Sequence, residues 1–413
     1  MDNLTHSVVG LGIGALIDRS VLPEATPDAQ RVRTRMLLTL GCLASNFPDL
    51  DLVLTKLVEA PLGYLLHHRG HTHTLLAALG EVVLLLGLVW LLWPAARRLL
   101  GASPRARFAA LLTACVGMVL HITMDGLNVY GVHPFWPFDA HWYYGDLIFI
   151  VEPVFWIAFG IPLALIVRGT VRRRCLLALL VAVPVIVTFA GFLQWGSLAG
   201  LLALACALAW IARWRRQRPG GERGRTALAA GLAAALAFVG VQAAAMHTAR
   251  DTIAVAIARL DPGEHLLDTA LSAYPANPLC WSFVTVATDA ANGSYHLRRG
   301  QLSVAPGITR VASCPAGIAG RAAADDAQLA WQSDVRDSLA RLHDLQQKNC
   351  HFNAWMRFAR APAIDGTTAT DARWSPPGSA NFSTMAYAHL ADTPCPRPVP
   401  DWGYPREDLL RRP

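Results

Sequence analysis

The sequence predicts an all-α polytopic membrane helix bundle of about eight segments, followed by a C-terminal α+β extracytoplasmic domain. Three observations carry this. The 413 residues are 54% hydrophobic and only 16% charged, with a mean hydropathy of +0.34, whereas a soluble domain is nearer one quarter charged. Apolar runs of about 20 residues, the length a bilayer requires, recur through the first 246 residues. From His247 onward polar residues, Pro and Gly return and such runs cease. A chain this hydrophobic is not intrinsically disordered.

The clear runs are Thr74–Trp93, Phe108–Leu127, Leu147–Val167, Cys175–Trp195, Ser197–Ala212 and Thr226–Met246. Leu4–Ile17 and Met36–Phe47 are short for full spans and are expected to be tilted, re-entrant or packed inside the bundle. Met1-Asp2-Asn3 offers no basic n-region and no small-residue cleavage site follows, so the first segment is expected to stay in the mature protein. Gly10-Leu11-Gly12-Ile13-Gly14 reads as a small-residue packing face rather than a nucleotide loop.

Arginine sets the orientation. Arg19, Arg31, Arg33 and Arg35 follow the first segment; Arg97, Arg98, Arg105 and Arg107 the third; Arg168, Arg172, Arg173 and Arg174 the fifth; and Arg213, Arg215, Arg216, Arg218, Arg223 and Arg225 the seventh. The alternate short loops hold only Lys56 and Arg69. The positive-inside rule makes the arginine-rich loops cytoplasmic and, with eight crossings, puts both termini outside. The net charge of +7 is thereby explained without a nucleic-acid partner.

The expected division is residues 1–246 and 247–413. In the second part Ala249–Leu260 and Glu264–Ala273 read as helices and Asp325–Gln347 as a longer amphipathic helix. Trp281–Thr288 and Tyr295–Val304 read as strands joined at Asn292-Gly293-Ser294, and the proline-rich tail from Pro376 as extended loop. Cys280, Cys314, Cys350 and Cys395 all fall outside, where an even set suggests two disulfides with three possible connectivities. Cys42, Cys115, Cys175 and Cys206 fall singly in apolar segments and read as small buried hydrophobes.

Ionisable groups in or beside membrane spans are costly, so their clustering is informative. His6, Asp49 and Asp51, the run His67-His68-Arg69-Gly70-His71-Thr72-His73-Thr74, and the pair His121 and Asp125 all fall at the same outer face on this topology. The arginine count used none of the histidines or aspartates, so the convergence is independent. His121 and Asp125, four apart, share a helix face. Imidazole and carboxylate are the usual ligands of zinc and related divalent metals, which turn water into a nucleophile near neutral pH. The candidate ligands are His6, Asp49, Asp51, His68, His73, His121 and Asp125, enough for one metal or two. Each has a plainer reading: His6 as an interfacial residue, Asp49 and Asp51 as helix caps, and His67 and His71 as supports that orient the ligands.

Asp2-Asn3-Leu4-Thr5-His6, Pro48-Asp49-Leu50-Asp51, His68-Arg69-Gly70-His71-Thr72-His73-Thr74, His121-x-x-x-Asp125 and Pro134-Phe135-Trp136-Pro137-Phe138, taken in order, resemble the YdjM-like inner-membrane, metal-dependent hydrolase family over about residues 1–160. The resemblance implies a bacterial inner-membrane protein with hydrolase chemistry, so the outer face and both termini become periplasmic. The His/Asp pattern is also similar in style to the zinc-dependent phospholipase C and nuclease superfamily.

Tyr130, Phe135, Trp136, Phe138, Trp142, Tyr143 and Tyr144 form an aromatic stretch suited to headgroup depth, either as an ordinary belt or beside a lipid substrate. Asp146 and Glu152 are candidate general bases, and Arg69 a candidate for stabilising negative charge on a substrate oxygen. The expected function is hydrolysis of an ester or phosphodiester of a membrane lipid or lipid-linked envelope precursor, with a divalent metal, zinc by ligand type. A metal-binding transporter or a structural membrane protein are the alternatives; a transporter is expected to show paired repeats, and none is evident. The sequence lacks GxxxxGK[ST], GxSxG and HExxH, which disfavours a P-loop enzyme, an α/β-hydrolase and a zincin.

Overall fold

The structure is a computed structural model that describes residues 1–217, 224–320 and 326–411. Arg218 and Arg223 of the last basic loop, and Asp325 at the start of the expected amphipathic helix, lie outside them. The chain divides into two compact units. The first comprises Met1–Leu50, Thr72–Asp125 and Phe149–Val241; the second comprises Asp51–His71, Gly126–Ile148 and Gln242–Pro413.

The helices in order are α1 (Asn3–Ser20), α2 (Pro27–Ala44), α3 (Leu62–His67), α4 (Leu75–Leu92), α5 (Pro94–Ala102), α6 (Pro104–Gly126), α7 (Pro153–Ile166), α8 (Thr170–Phe189), α9 (Trp195–Arg216) and α10 (Arg225–Leu260). Their starts follow from local chemistry. The Asp2 carboxylate accepts from the N–H groups of Leu4 and Thr5, Thr26 caps α2 ahead of Pro27, and Thr74 caps α4 through the Ala77 N–H. Five stretches among the described residues are long and apolar enough to cross a membrane: Pro27–Leu57, Leu75–Leu92, Pro104–Gly126, Trp195–Arg216 and Arg225–Leu260. The expected run Leu147–Val167 is shorter than read, because Glu152 caps α7 and Pro153 starts it, which leaves a helix of 14 residues. In α8 the three arginines Arg172–Arg174 occupy the first turns and shorten its apolar stretch.

The first unit is held by close backbone approach. A Cβ at Gly10 would lie 2.2 Å from the Gly41 carbonyl oxygen, and one at Gly14 2.3 Å from that of Leu37. The glycine-rich run therefore packs α1 against α2. Met36, Leu37 and Leu40 of α2, Val82 and Leu85 of α4, and Ala110, Met118 and Ile122 of α6 form the apolar core beside it.

The second unit is built on an antiparallel sheet in the order β1 (His265–Tyr274), β2 (Asn277–Asp289), β3 (Ser294–Ser303) and β4 (Leu329–Ser338). Side chains of β2 alternate between its faces. Trp281 and Phe283 join Ile253 and Ile257 of α10, whereas Val284 and Val286 join a second core. That second core adds Leu342 of α12 (Leu339–Lys348), which follows the short α11 (Ala316–Ala319), and Phe352, Trp355 and Met356 of α13 (Cys350–Met356). The hairpin β5 (Pro362–Asp365) and β6 (Thr368–Asp371) and the short α14 (Glu407–Leu410) complete it.

Two expectations are corrected here. Glu264–Ala273 is strand, not helix: β1 pairs with β2 from His265 to Tyr274, and that ladder overrides the helical preference of its Leu and Ala residues. Asp325–Gln347 is two elements, because the Ser338 hydroxyl accepts from the Arg341 N–H and starts α12 just where β4 ends. The two strands joined near Asn292-Gly293 are present as β2 and β3, with Gly293 in the left-handed region at φ 60°. Cys280 pairs with Cys314 and Cys350 with Cys395 as disulfides. Cys175 and Cys206 are exposed on α8 and α9, not buried as expected, and Cys42 and Cys115 are half-buried; a helix facing lipid has no protein to cover them.

Candidate metal centre

Asp49, His73, His121 and Asp125 converge in the first unit, all buried, each offering a ligand atom within 4.8 Å of the others. Three pieces of chain deliver them. Asp49 lies in the 3-10 turn after α2; His73 closes the 3-10 turn His71–His73 just before the Thr74 cap of α4; and His121 and Asp125 stand one turn apart on α6. The HTHT run is thus a turn that presents an imidazole followed by the helix cap that fixes it.

The donor atoms are sorted by their partners. The His121 Nδ1–H donates to the Ser45 carbonyl at 2.8 Å. A carbonyl only accepts, so this contact fixes the tautomer and turns His121 Nε2 toward the cluster. There it lies 3.0 Å from His73 Nε2, 3.5 Å from Asp49 Oδ1 and 3.8 Å from Asp125 Oδ2. His73 Nε2 is 3.5 Å from Asp49 Oδ1 and 3.3 Å from Asp125 Oδ2. The other carboxylate oxygens are tied elsewhere: Asn3 donates to Asp49 Oδ2 at 3.0 Å, and Asp125 Oδ1 meets His6 Nε2 at 3.1 Å and the Met1 amino group. Four metal bonds of about 2.0–2.1 Å arranged tetrahedrally have edges of about 3.3–3.4 Å. The five separations above, 3.0 to 3.8 Å, straddle that value. Donor chemistry and spacing both suit a divalent ion.

The remaining candidates are distributed differently. His6 contacts Asp125 through Nε2 and stacks on His121 with ring centroids 4.0 Å apart, so it touches one carboxylate and one imidazole of the cluster. Asp51 and His68 belong to the second unit and pair with each other, His68 Nδ1 to Asp51 Oδ1 at 3.0 Å. In the same unit the Arg69 N–H donates to Asp51 Oδ2 at 2.9 Å, while its guanidinium donates to Asn128 Oδ1 at 3.0 Å and lies 4.5 Å from the Tyr130 ring centroid. Arg69 holds a left-handed backbone, φ 59°, a costly conformation for a residue with a side chain. His67 and His71 are also in the second unit, where burial lowers both imidazole pKa values and favours the neutral form. Asp146 accepts bidentately from Arg360 at 2.8 and 2.9 Å and from Arg250 at 2.8 Å. Glu152 is buried in the first unit, its Oε1 accepting from the Val154 N–H.

Two residues that position the cluster escape a reading by ligand type. Ser45 contributes a backbone carbonyl to His121 and a hydroxyl that donates to the His6 carbonyl at 2.8 Å. Asn3 sits three residues before His6 on α1, a helical spacing that puts it on the same side of the helix.

With this geometry in hand the comparisons with known proteins can be placed. Residues 1–195 match the model of the YdjM inner membrane protein family. That span contains all four clustered residues and the first eight helices. A relative in Bacillus subtilis (strain 168), the uncharacterized protein YfhP, is 31% identical over 159 residues, which cover 38% of this chain and 44% of YfhP. No solved structure matches the chain. The family match and the five long apolar helices among the described residues support a multi-pass inner membrane protein.

Proposed function

We propose that the protein is a membrane-bound metal-dependent hydrolase that works at the periplasmic face on an ester or phosphodiester of a lipid or envelope precursor. The observation that supports it best is the buried set of two imidazole nitrogens and two carboxylate oxygens at metal-ligand spacing. Zinc suits that donor set. When bound, the ion supplies Lewis acidity that makes water nucleophilic near neutral pH. The chain's own work is orientation. Ser45 fixes the His121 tautomer, while Asn3 and His6 hold one oxygen of each carboxylate and leave the other toward the cluster. Glu152 is the stronger candidate for accepting a proton, since Asp146 is committed to Arg360 and Arg250. Arg69, held by Asn128 over Tyr130, is the candidate for binding an anionic substrate oxygen.

The test is elemental analysis of the purified protein. Wild type is expected to carry stoichiometric metal, and His121→Ala and Asp125→Ala to lose most of it; metal-free wild type, or variants with unchanged content, would overturn the assignment. Lipid profiles of cells carrying His121→Ala are expected to show an accumulated substrate. A second reading has its own support: four protein donors fill a tetrahedron, as in structural zinc sites. In that case the variants lose thermal stability while the lipid profile stays the same. Cysteine labelling that places residues 68–73 in the cytoplasm would overturn the periplasmic assignment.

A further inference from the structure

The two disulfides of the second unit differ in their surroundings. Cys280, on β2, and Cys314 are buried and pack with Tyr274. Cys395 is exposed, and its partner Cys350, the first residue of α13, is half-buried. Thiol–disulfide exchange requires a thiolate to reach a sulfur, so exposed disulfides are the labile ones. We propose that Cys350–Cys395 is a redox latch: it holds the strap of residues 391–402 over His67 and His71, and a dithiol reductant opens it.

The strap has few other holds. Pro394, Pro396, Pro398 and Pro400 carry no backbone N–H, so alternate residues cannot join a ladder, and residues 394–400 form no helix or strand. Pro394, Cys395, Arg397 and Pro398 are exposed, while Val399 reaches the core. Firm contacts resume beyond this stretch, where the Trp402 carbonyl accepts from Arg357 Nη1 at 2.7 Å and the Gly403 N–H donates to the Ala140 carbonyl at 2.8 Å.

The inner side of the strap covers histidines. The Pro398 backbone lies beside the imidazole of His67, which is buried. The ring of Trp402, also buried, stands 5.4 Å from that of His71 and 4.6 Å from that of His133. The fit is close: a Cβ at Gly70 would lie 2.8 Å from Trp402. His67 and His71 flank His68 and Arg69, so opening the strap uncovers the segment that carries the arginine proposed above for an anionic substrate oxygen. That consequence rests on the proposed function, whereas the latch itself does not.

The exchange balances. One thiolate of the reductant attacks Cys395 Sγ, the S–S bond breaks, and Cys350 leaves as a thiolate that takes a proton; the second thiol of the reductant then resolves the mixed disulfide. Two electrons and two protons pass to the cysteine pair, and the dithiol becomes a disulfide. His351 is placed to serve the reduced state. The Thr393 hydroxyl donates to the Leu390 carbonyl at 2.8 Å, so at 3.3 Å it accepts from His351 Nε2–H. In the neutral imidazole this leaves Nδ1, 3.8 Å from Cys350 Sγ, as an acceptor for the new S–H and as a base that regenerates the thiolate for closure.

The test uses the purified full chain in phosphatidylcholine nanodiscs, treated with dithiothreitol without denaturant, its thiols trapped with iodoacetamide and mapped by mass spectrometry. Cys350 and Cys395 are expected to be trapped while Cys280 and Cys314 stay joined. Diethyl pyrocarbonate modification of His67 should then rise about tenfold, as a segment that opened rarely is released. In untrapped protein it should fall back once oxidised glutathione re-forms the bond, which shows that the rise is not misfolding. Cys350→Ser combined with Cys395→Ser should show the high reactivity without reductant. Equal reduction of both disulfides, a Cys350–Cys395 bond that resists dithiothreitol, or His67 reactivity unchanged after Cys350 and Cys395 are trapped would each refute the latch. Neither metal content nor activity enters these measurements, so the latch and the proposed hydrolase stand or fall separately.

Discussion

Gly41→Ala tests whether helix packing and the histidine cluster are one mechanical unit. The Cβ of an alanine at Gly41 would stand 2.2 Å from the Gly10 carbonyl oxygen, whereas ordinary contact begins near 3.4 Å, so α1 and α2 must part by about 1 Å. Both atoms in conflict belong to backbone, and no rotamer change relieves them. Overpacking of this kind costs about 1–3 kcal/mol, with this case at the upper end. The better helix propensity of Ala returns up to about 1 kcal/mol, leaving a net loss of about 2 kcal/mol. For a unit of this size that lowers Tm by about 4–8 °C. The shift also reaches the cluster, because Ser45 lies one turn beyond Gly41 and its carbonyl receives the His121 proton at 2.8 Å. Loss of such a supporting contact weakens metal affinity about 10- to 100-fold. The assays are thermal unfolding in detergent and zinc competition against a chromophoric chelator. Gly80→Ala is the control: nothing lies within 4 Å of its Cβ, so neither quantity should fall. A Gly41→Ala protein with wild-type Tm and wild-type zinc affinity would refute the coupling.

Two further outcomes follow from the second unit. Burial alone would raise the Asp268 carboxyl, but the guanidinium groups of Arg360 and Arg406 outweigh it and hold the group well below the usual carboxylate range. A depressed folded-state pKa contributes stability above the unfolded value and loses it as pH falls. The urea midpoint of this unit should therefore hold from pH 7 to 5 and drop below about pH 4, the ordinary carboxylate value; Asp268→Asn should show a shallower drop, and an identical pH profile would contradict the ion-pair account. The disulfides Cys280–Cys314 and Cys350–Cys395 close loops of 34 and 45 residues, for which chain entropy gives about 4 kcal/mol each. Reduction should lower the urea midpoint markedly, and an unchanged midpoint would rule that contribution out.

What the sequence reveals and what it hides divide along physical lines. Hydropathy reports a partition between lipid and water, so α4 (Leu75–Leu92) and α6 (Pro104–Gly126) emerge close to the runs read for them, whereas α2 begins nine residues before its run and α10 continues past Met246 to Leu260. The gathering of Asp49, His73, His121 and Asp125 was legible because buried charge in an apolar setting is rare enough to stand out. Their supports were not: Ser45 acts through a backbone carbonyl, which every residue possesses. The misread strand β1 and the divided Asp325–Gln347 stretch share a different cause. Leu- and Ala-rich segments favour helix locally, and only pairing with a distant strand decides otherwise.

The second unit draws Leu62, Leu65, Leu66 and Tyr130, from two early stretches of chain, into one core with Phe352, Trp355 and Phe358. In the order of synthesis those early residues emerge more than 200 positions before the partners that cover them. The interval includes the whole of α7 through α10. Until the last third of the chain is translated, their apolar side chains lack these native partners. A chain ended at residue 195, where the family match stops, would carry the complete histidine cluster and still leave these residues uncovered.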